Sequence, residues 1–277
     1  MRNPLLQIAD LKVVYGKGRR RAEVLHGVSF DIERGETLGL VGESGSGKTT
    51  IGRAILGLAP ISGGTIRFNG QDLSSLPKSE RRNLAEHMQV VFQDPFTSLN
   101  PAMQIVDILS EPLIVRRRSA AAARARVREL LDEVAIPSSA LERYPREFSG
   151  GQRQRIAIAR ALALDPLLIV CDEPVSALDL TTQANVLDLL IDIQDRSGVS
   201  YLFISHDLSV VRHISHRIAV LYRGDVVEVG SARQVTRTPE HSYTQELLLS
   251  SPVSDPAEQQ RRRNERHRLR RQSSQDR

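Results

Sequence analysis

Apolar residues recur along this chain with two different periods, and the switches between them mark out its elements. In LLQIADLKVVY (5–15) and VLHGVSFDI (24–32) they alternate or cluster as in β-strands. TLGLVG (37–42) is a short apolar run ending in glycine, the pattern of a buried strand. KTTIGRAILGL (48–58) follows as a helix with Ile51, Ala54, Ile55 and Leu58 on one face. SGGTIRFNG (62–70) predicts a turn, a strand and a turn, and HMQVVFQDP (87–95) a strand stopped by Pro95. From about residue 96 to 165 the strand signals vanish. There SAAAARARVRELLDEVAI (119–136) offers Ser119 as an N-cap and Val127, Leu130, Leu131 and Val134 as one apolar face.

Strands then return in LLIVCDEP (167–174), VSYLFISHD (199–207), RIAVLYRG (217–224) and DVVEVG (225–230). Helices are predicted through TTQANVLDLLIDIQDR (181–196) and from Leu208. Apolar strands alternating with helices imply a mainly parallel sheet covered on both faces, with an all-helical insertion interrupting it. No internal repeat is visible.

Composition changes this picture little. The 277 residues suffice for one large domain or two modest ones, and 40% hydrophobic with 26% charged residues is ordinary for a globular protein. No apolar run approaches the roughly 18–20 residues that span a bilayer, and the opening MRNPLLQIADLKVVYG lacks the apolar stretch of a signal peptide. The single Cys171 excludes an internal disulfide framework and a cysteine-rich metal site, so cytoplasmic residence is the expectation. The net charge of +5 is concentrated at one end: residues 261–277 carry eight arginines against Glu265 and Asp276, leaving the remainder near neutral. Residues 256–277 are expected to form a solvated, disordered basic tail. Specific nucleic-acid binding is not expected from it.

GESGSGKT, residues 42–49, fits G-x-x-x-x-G-K-[ST] between a predicted strand and a predicted helix. Gly42, Gly45 and Gly47 let the backbone curl so that its N–H groups converge on phosphate oxygens, helped by the positive end of the helix. The candidate cradle comprises Gly42, Glu43, Ser44, Gly45, Ser46, Gly47, Lys48, Thr49 and Thr50. Lys48 can reach the β- and γ-phosphates of ATP, and the Thr49 hydroxyl can ligate Mg²⁺. LLIVCDE delivers Asp172 and Glu173 at a strand end, where ligands gather in open α/β sheets. Asp172 is the candidate Mg²⁺ carboxylate and Glu173 the candidate general base for an attacking water. Cys171, inside the apolar run, is expected to be a small core residue.

GESGSGKTT, VVFQDP, FSGGQRQRIAIARAL, LLIVCDEP, SALD and FISHD stand in the order and approximate spacing of ATP-binding cassette (ABC) subunits, which the chain resembles from residue 5 to about 250. The resemblance implies an α/β P-loop NTPase fold with a RecA-like core, an N-terminal antiparallel β subdomain and an inserted α-helical subdomain. The boundaries it suggests are 1–95 and 166–230 for the nucleotide-binding core, 96–165 for the helical subdomain and 231–255 for a C-terminal extension. It implies head-to-tail pairing, in which Ser149, Gly150, Gly151 and Gln152 cover ATP held on a second, homologous or identical ATPase subunit. A serine hydroxyl and glycine N–H groups at a helix start suit such an anion site. Gln93 matches the glutamine that reaches Mg²⁺ or the lytic water, Asp179 the aspartate at the dimer interface, and His206 the histidine that contacts the γ-phosphate. Tyr15 matches the residue that stacks on adenine, although a strand residue can also simply pack. Phe148 stands where many families have leucine and keeps an apolar anchor.

Residues 88–113 and 143–162 resemble the oligopeptide/dipeptide/nickel importer ATPases, particularly the second of their two paired ATPase subunits. LYRGDVVEVGSARQV followed by TPEHSYTQELL resembles the C-terminal extension of that group, with Ser242 in place of the second proline of Pro-x-His-Pro-Tyr-Thr. Some members bind an iron–sulfur cluster beyond this point, for which this chain has no cysteines. The implied partners are a second ATPase subunit, two transmembrane permease subunits and, indirectly, an external solute-binding protein. The implied place is the cytoplasmic face of the inner membrane. An exporter ATPase, or a soluble ABC ATPase outside transport, shares the catalytic motifs and remains the alternative.

Overall fold

A computed structural model of the protein describes residues 4–16, 18–77, 80, 84, 86–94, 98–250 and 260–261. Apart from Gln260 and Arg261, the basic tail expected over 256–277 lies outside the described residues. Among the described residues ten strands run in chain order. The first five are β1 (Leu6–Tyr15), β2 (Ala22–Ile32), β3 (Thr37–Val41), β4 (Gly63–Phe68) and β5 (Gln71–Asp72). The others are β6 (Met88–Val91), β7 (Leu168–Asp172), β8 (Ser200–Ser205), β9 (Arg217–Tyr222) and β10 (Asp225–Ser231). The helices that carry the argument are α1 (Lys48–Ile55), α2 (Ile105–Val115), α3 (Ala120–Glu133) and α4 (Gly150–Leu162). They are followed by α5 (Leu180–Ser197), α6 (Leu208–Ile214), α7 (Ala232–Arg237) and α8 (Ser242–Ser250). The chain divides into two compact units, one of residues 1–32, 37–74 and 203–277, the other of 33–36 and 75–202.

The first unit contains an antiparallel sheet in the order β2-β1-β4-β5. Its pairing puts Leu6 opposite both Ile32 and Phe68, all three buried, which sets the register by the apolar face. In the same unit β3 pairs in parallel with β9, Gly39 opposite Ile218, and β10 returns antiparallel along β9. All five residues of β3 are buried, as a strand covered on both faces requires. Helix α1 stops earlier than its apolar period suggested. Gly57 takes φ 72°, the chain turns, and Leu58 ends 65% exposed instead of joining Ile51, Ala54 and Ile55 in the core.

The second unit holds the parallel pair β6–β7 and the helices α2 to α5. Between β6 and β7 no strand occurs among the described residues, as the loss of alternation predicted. Ser119 caps α3 by accepting the Ala122 N–H at 3.3 Å, and Ala123, Val127, Leu130 and Leu131 form its buried face. The guanidinium of Arg126 ties this helix to the turn that follows α4. It donates to Glu133 at 2.7 Å, Glu129 at 3.2 Å and Asp165 at 2.9 Å. Burial alone would disfavour its charge, but the hydrogen bond to Glu133 and the carboxylates of Glu133 and Asp165 outweigh that and hold the guanidinium above its ordinary pKa.

Replacing Arg126 by methionine keeps the packing stem and removes every charged bond. Because its partners are partly solvated, the expected loss is modest, about 1–2 kcal/mol of unfolding free energy in urea at low salt. The difference from the wild type should shrink as ionic strength rises.

Candidate functional site

The candidate residues fall in both units. Tyr15, the loop 42–50 and His206 belong to the first; Gln93, Ser149–Gln152, Asp172, Glu173 and Asp179 belong to the second.

The loop after β3 curls as the glycines predicted. A Cβ on Gly42 would lie 2.1 Å from the Leu221 carbonyl oxygen, so β9 backbone occupies the space of any side chain there. Gly47 is the N-cap of α1 in the left-handed region, φ 111°, and provides no side-chain cap for the first-turn amides. Lys48 is buried at 5% exposure, and its ammonium donates to the carbonyls of Gly42 at 2.7 Å and Glu43 at 2.9 Å. The Ser46 hydroxyl is buried in the same loop without a hydrogen-bond partner. An uncapped helix start, a buried ammonium and an orphaned hydroxyl on one short loop form a cradle that fits the oxygens of a phosphate chain. Glu43, Ser44, Gly45 and Thr49 are exposed and Thr50 half-buried.

One contact to this loop comes from far along the chain. The hydroxyl of Tyr243, in the first turn of α8, accepts the Glu43 N–H at 3.0 Å. Burial pushes that phenol up, so it stays protonated at neutral pH. Tyr15 is half-buried at the end of β1, which is compatible with either stacking or packing. His206 is exposed between β8 and α6, in a turn fixed by the Asp207 N–H donating to the Ser205 hydroxyl at 3.0 Å.

In the second unit β7 delivers Asp172 and Glu173 at its end, both half-buried. Glu173 has φ 51°, a left-handed conformation that costs a non-glycine residue about 1–2 kcal/mol. The turn is secured by Ser176, whose N–H and hydroxyl both donate to the Glu173 carbonyl, at 3.3 and 3.1 Å. Cys171 is wholly buried and burial pushes its thiol up, so it serves as core. Gln93 is exposed beyond the end of β6.

Ser149 and Gln152 form a reciprocal cap at the start of α4. The Gln152 N–H donates to the serine hydroxyl at 3.3 Å, and the Ser149 N–H donates to the glutamine Oε1 at 3.0 Å. Phe148 beside them is buried, with the Arg143 guanidinium 4.4 Å from its ring centre, so the apolar anchor is kept. A Cβ on Gly151 would lie 2.3 Å from Cγ2 of Thr182. Thr182 in turn donates its hydroxyl and its N–H to the Asp179 carboxylate, at 2.6 and 3.0 Å. The Thr182 hydroxyl bond, then its N–H bond, hold the Asp179 carboxyl below its ordinary pKa. The structure thus brings Ser149–Gln152 and Asp179 together through Thr182.

Three elements escaped the sequence reading. S-x-x-Q is a capping-box spacing and could have been seen in SGGQ. Thr182 follows Asp179 at the spacing of an N-cap and its N3 amide. For Tyr243 no local signal exists, since its partner lies 200 positions away.

The sequence profile of the ABC transporter family matches residues 25–176. A putative peptide import ATP-binding protein of Brucella ovis is 50% identical over 254 residues, covering 91% of this chain and 80% of that one. The dipeptide transport ATP-binding protein DppF of Lactococcus lactis is 49% identical over 263 residues, covering 93% and 84%. Among solved structures, the dimeric post-hydrolysis state of the ATP-binding cassette MJ0796, bound to ADP and Pi, aligns with a TM-score of 0.73 at 28% identity, over 82% of this chain and 99% of that one. The chain belongs to the ABC transporter family, and its antiparallel β part, parallel strands and helical insertion are the ABC ATPase fold.

Because the Thr182 hydroxyl is engaged by Asp179, Gly151→Ala cannot be accommodated by rotating that side chain without breaking a bond. Gly151→Ala should lose about 1–3 kcal/mol of unfolding free energy in urea. Adding Thr182→Ser, which keeps the hydroxyl and removes Cγ2, should recover more than half of that loss. Equal losses with and without Thr182→Ser would contradict the contact.

Proposed function

We propose that this chain is the ATP-hydrolysing subunit of an ABC importer, driving uptake of peptides or a related small solute through separate membrane subunits. The observation that carries the reading is the loop 42–49, where buried Lys48, the orphaned Ser46 hydroxyl and the uncapped start of α1 converge on space suited to phosphate. Kinship to peptide and dipeptide import ATP-binding proteins at about half identity supports the substrate class. No helix among the described residues is long and apolar enough to cross a membrane, which suits a peripheral subunit at the cytoplasmic face acting through two permease subunits and an external binding protein.

In this reading backbone N–H groups of the loop hold the phosphates, and Lys48 moves its ammonium from the Gly42 and Glu43 carbonyls onto β- and γ-phosphate oxygens. Tyr15 stacks on adenine. Thr49, Gln93 and Asp172 offer oxygen ligands only, the donor set that Mg²⁺ takes, and the ion would neutralise phosphate charge. Glu173 accepts the proton of the attacking water as its oxygen bonds to the γ-phosphorus and the bond to the β-phosphate oxygen breaks, giving ADP and phosphate. His206 steadies the γ-phosphate. Ser149, Gly150, Gly151 and Gln152 cover nucleotide held by a second, homologous or identical ATPase subunit, with Asp179 at that interface. The MJ0796 cassette is dimeric with ADP and Pi, which supports this division of labour. Residues 96–165 form the inserted helical subdomain and 231–255 the C-terminal extension.

Glu173→Gln should bind MgATP with wild-type affinity in an equilibrium titration while its turnover falls at least a hundredfold. Near-normal phosphate release would overturn the general-base role. Ser149→Asp preserves the cap, since aspartate serves that position as well as serine, but turns a carboxylate toward the partner's phosphates. Built into the Glu173→Gln background, it should leave nucleotide binding by the monomer intact and abolish ATP-driven dimerisation seen by light scattering. Loss of monomer affinity would show that this segment serves its own chain's nucleotide.

A further inference from the structure

The peptide group joining Gly42 to Glu43 is held at both of its polar ends. Its carbonyl accepts from the Lys48 ammonium at 2.7 Å, and its N–H donates to the Tyr243 hydroxyl at 3.0 Å. A peptide group is planar and turns as one body, so fixing the N–H fixes where the carbonyl points. Glycine at 42 places little torsional restraint on that plane, and the Glu43 side chain is exposed. The tyrosine therefore adds, from outside the loop, a second restraint on an orientation that Lys48 holds from within.

Tyr243 is itself held firmly enough to act as a reference point. Its ring lies 4.2 Å from that of Tyr222, at the end of β9, and it is 7% exposed. The neighbouring residue of that strand, Leu221, is the one whose carbonyl oxygen abuts Gly42, so the tyrosine rests on the strand against which the loop curls. The turn before α8 sets its direction. Both oxygens of Glu228, on β10, accept backbone N–H groups, one from Glu240 at 3.0 Å and one from His241 at 3.1 Å. His241 Nδ1 accepts the Tyr243 N–H at 3.1 Å, and the Gln245 amide donates to the Pro239 carbonyl at 3.1 Å. Ser242 opens the helix, a position where proline is favoured and serine costs only preorganisation, so its presence leaves this turn intact.

We propose that Tyr243 is a positioning residue of the nucleotide site, acting from the C-terminal extension through the Gly42–Glu43 peptide on Lys48. The inference rests on the reading that loop 42–49 holds ATP. Tyr243 touches no phosphate in this scheme. It takes up the Glu43 N–H, so the anion-binding amides begin at Ser44, and it keeps the Gly42 carbonyl where Lys48 docks when phosphate is absent. Without the hydroxyl the peptide can rotate, Lys48 is no longer held poised beside the phosphate position, and the loop must be reordered each time nucleotide binds.

The test uses the full chain with MgATP as the probe. Tyr243→Phe removes one oxygen and leaves the ring on Tyr222. It should raise both Kd and KM for MgATP about 3- to 10-fold, the worth of one hydrogen bond, with kcat within twofold of the wild type. In a Lys48→Ala background the same change should have no further effect on Kd, because the path through Lys48 is already cut. A Tyr243→Phe protein that binds MgATP as the wild type does, or that loses only kcat or thermal stability, overturns the inference. Should Tyr243→Phe fail to fold at assay temperature, Glu228→Gln loosens the turn while sparing ring and hydroxyl. It should raise Kd about twofold, and an unchanged Kd there overturns the inference equally. Failure of the wild type to bind MgATP would instead overturn the reading of loop 42–49.

Discussion

An ammonium group taken out of water must find oxygen atoms to replace its hydration, and Lys48 is nearly inaccessible. Its two carbonyl partners belong to adjacent residues of its own loop, which can present both only because the backbone turns back on itself. That turn is possible because Gly42 has no Cβ to strike the Leu221 oxygen. The strand β3, the glycines, β9 and the start of α1 thus answer to a single requirement. Two carbonyl dipoles satisfy the lysine, and in the proposed function a phosphate would offer it full negative charge instead.

The second unit solves a different problem with the same means. Here the helix start is capped by Ser149 and Gln152, and glycine at 151 is dictated by a neighbouring threonine methyl rather than by a backbone oxygen. Because Thr182 serves both Gly151 by contact and Asp179 by hydrogen bonds, the segment proposed to meet a partner's nucleotide and the aspartate proposed to line the interface cannot shift independently. Glu173 shows a related economy. Its left-handed backbone is uncomfortable for glutamate, and the turn compensates by giving its carbonyl two donors from Ser176.

Much of this was legible in the residues. Period-two and period-3.6 patterns located most of the strands and the helices α1, α3, α5 and α6, because burial on one face is what those periods record. The glycine-rich turn after β3 and the carboxylates at the end of β7 were legible because glycine marks a backbone curl and an apolar run ending in acidic residues marks a strand end. What stayed hidden follows from tertiary packing. The end of α1 depends on a left-handed Gly57, and an apolar Leu58 placed after it looks like core in any helical projection. The Thr182 methyl beneath Gly151 and the Tyr243 hydroxyl on Glu43 join segments distant in sequence, and no local pattern encodes them. The SGGQ cap was readable but overshadowed by the anion-binding role proposed for the same four residues.

That cap narrows what position 149 can tolerate. Its oxygen already accepts from the Gln152 amide, which leaves the hydroxyl its proton and one further lone pair to offer outward. Of the side chains that cap helices well, aspartate can only accept and glycine offers neither role, whereas serine, threonine and asparagine pair an acceptor with a donor. Under the proposed role, in which a partner's phosphate takes that proton, this residue is confined to a three-letter alphabet, a restriction that arises where folding and recognition draw on opposite faces of one small group.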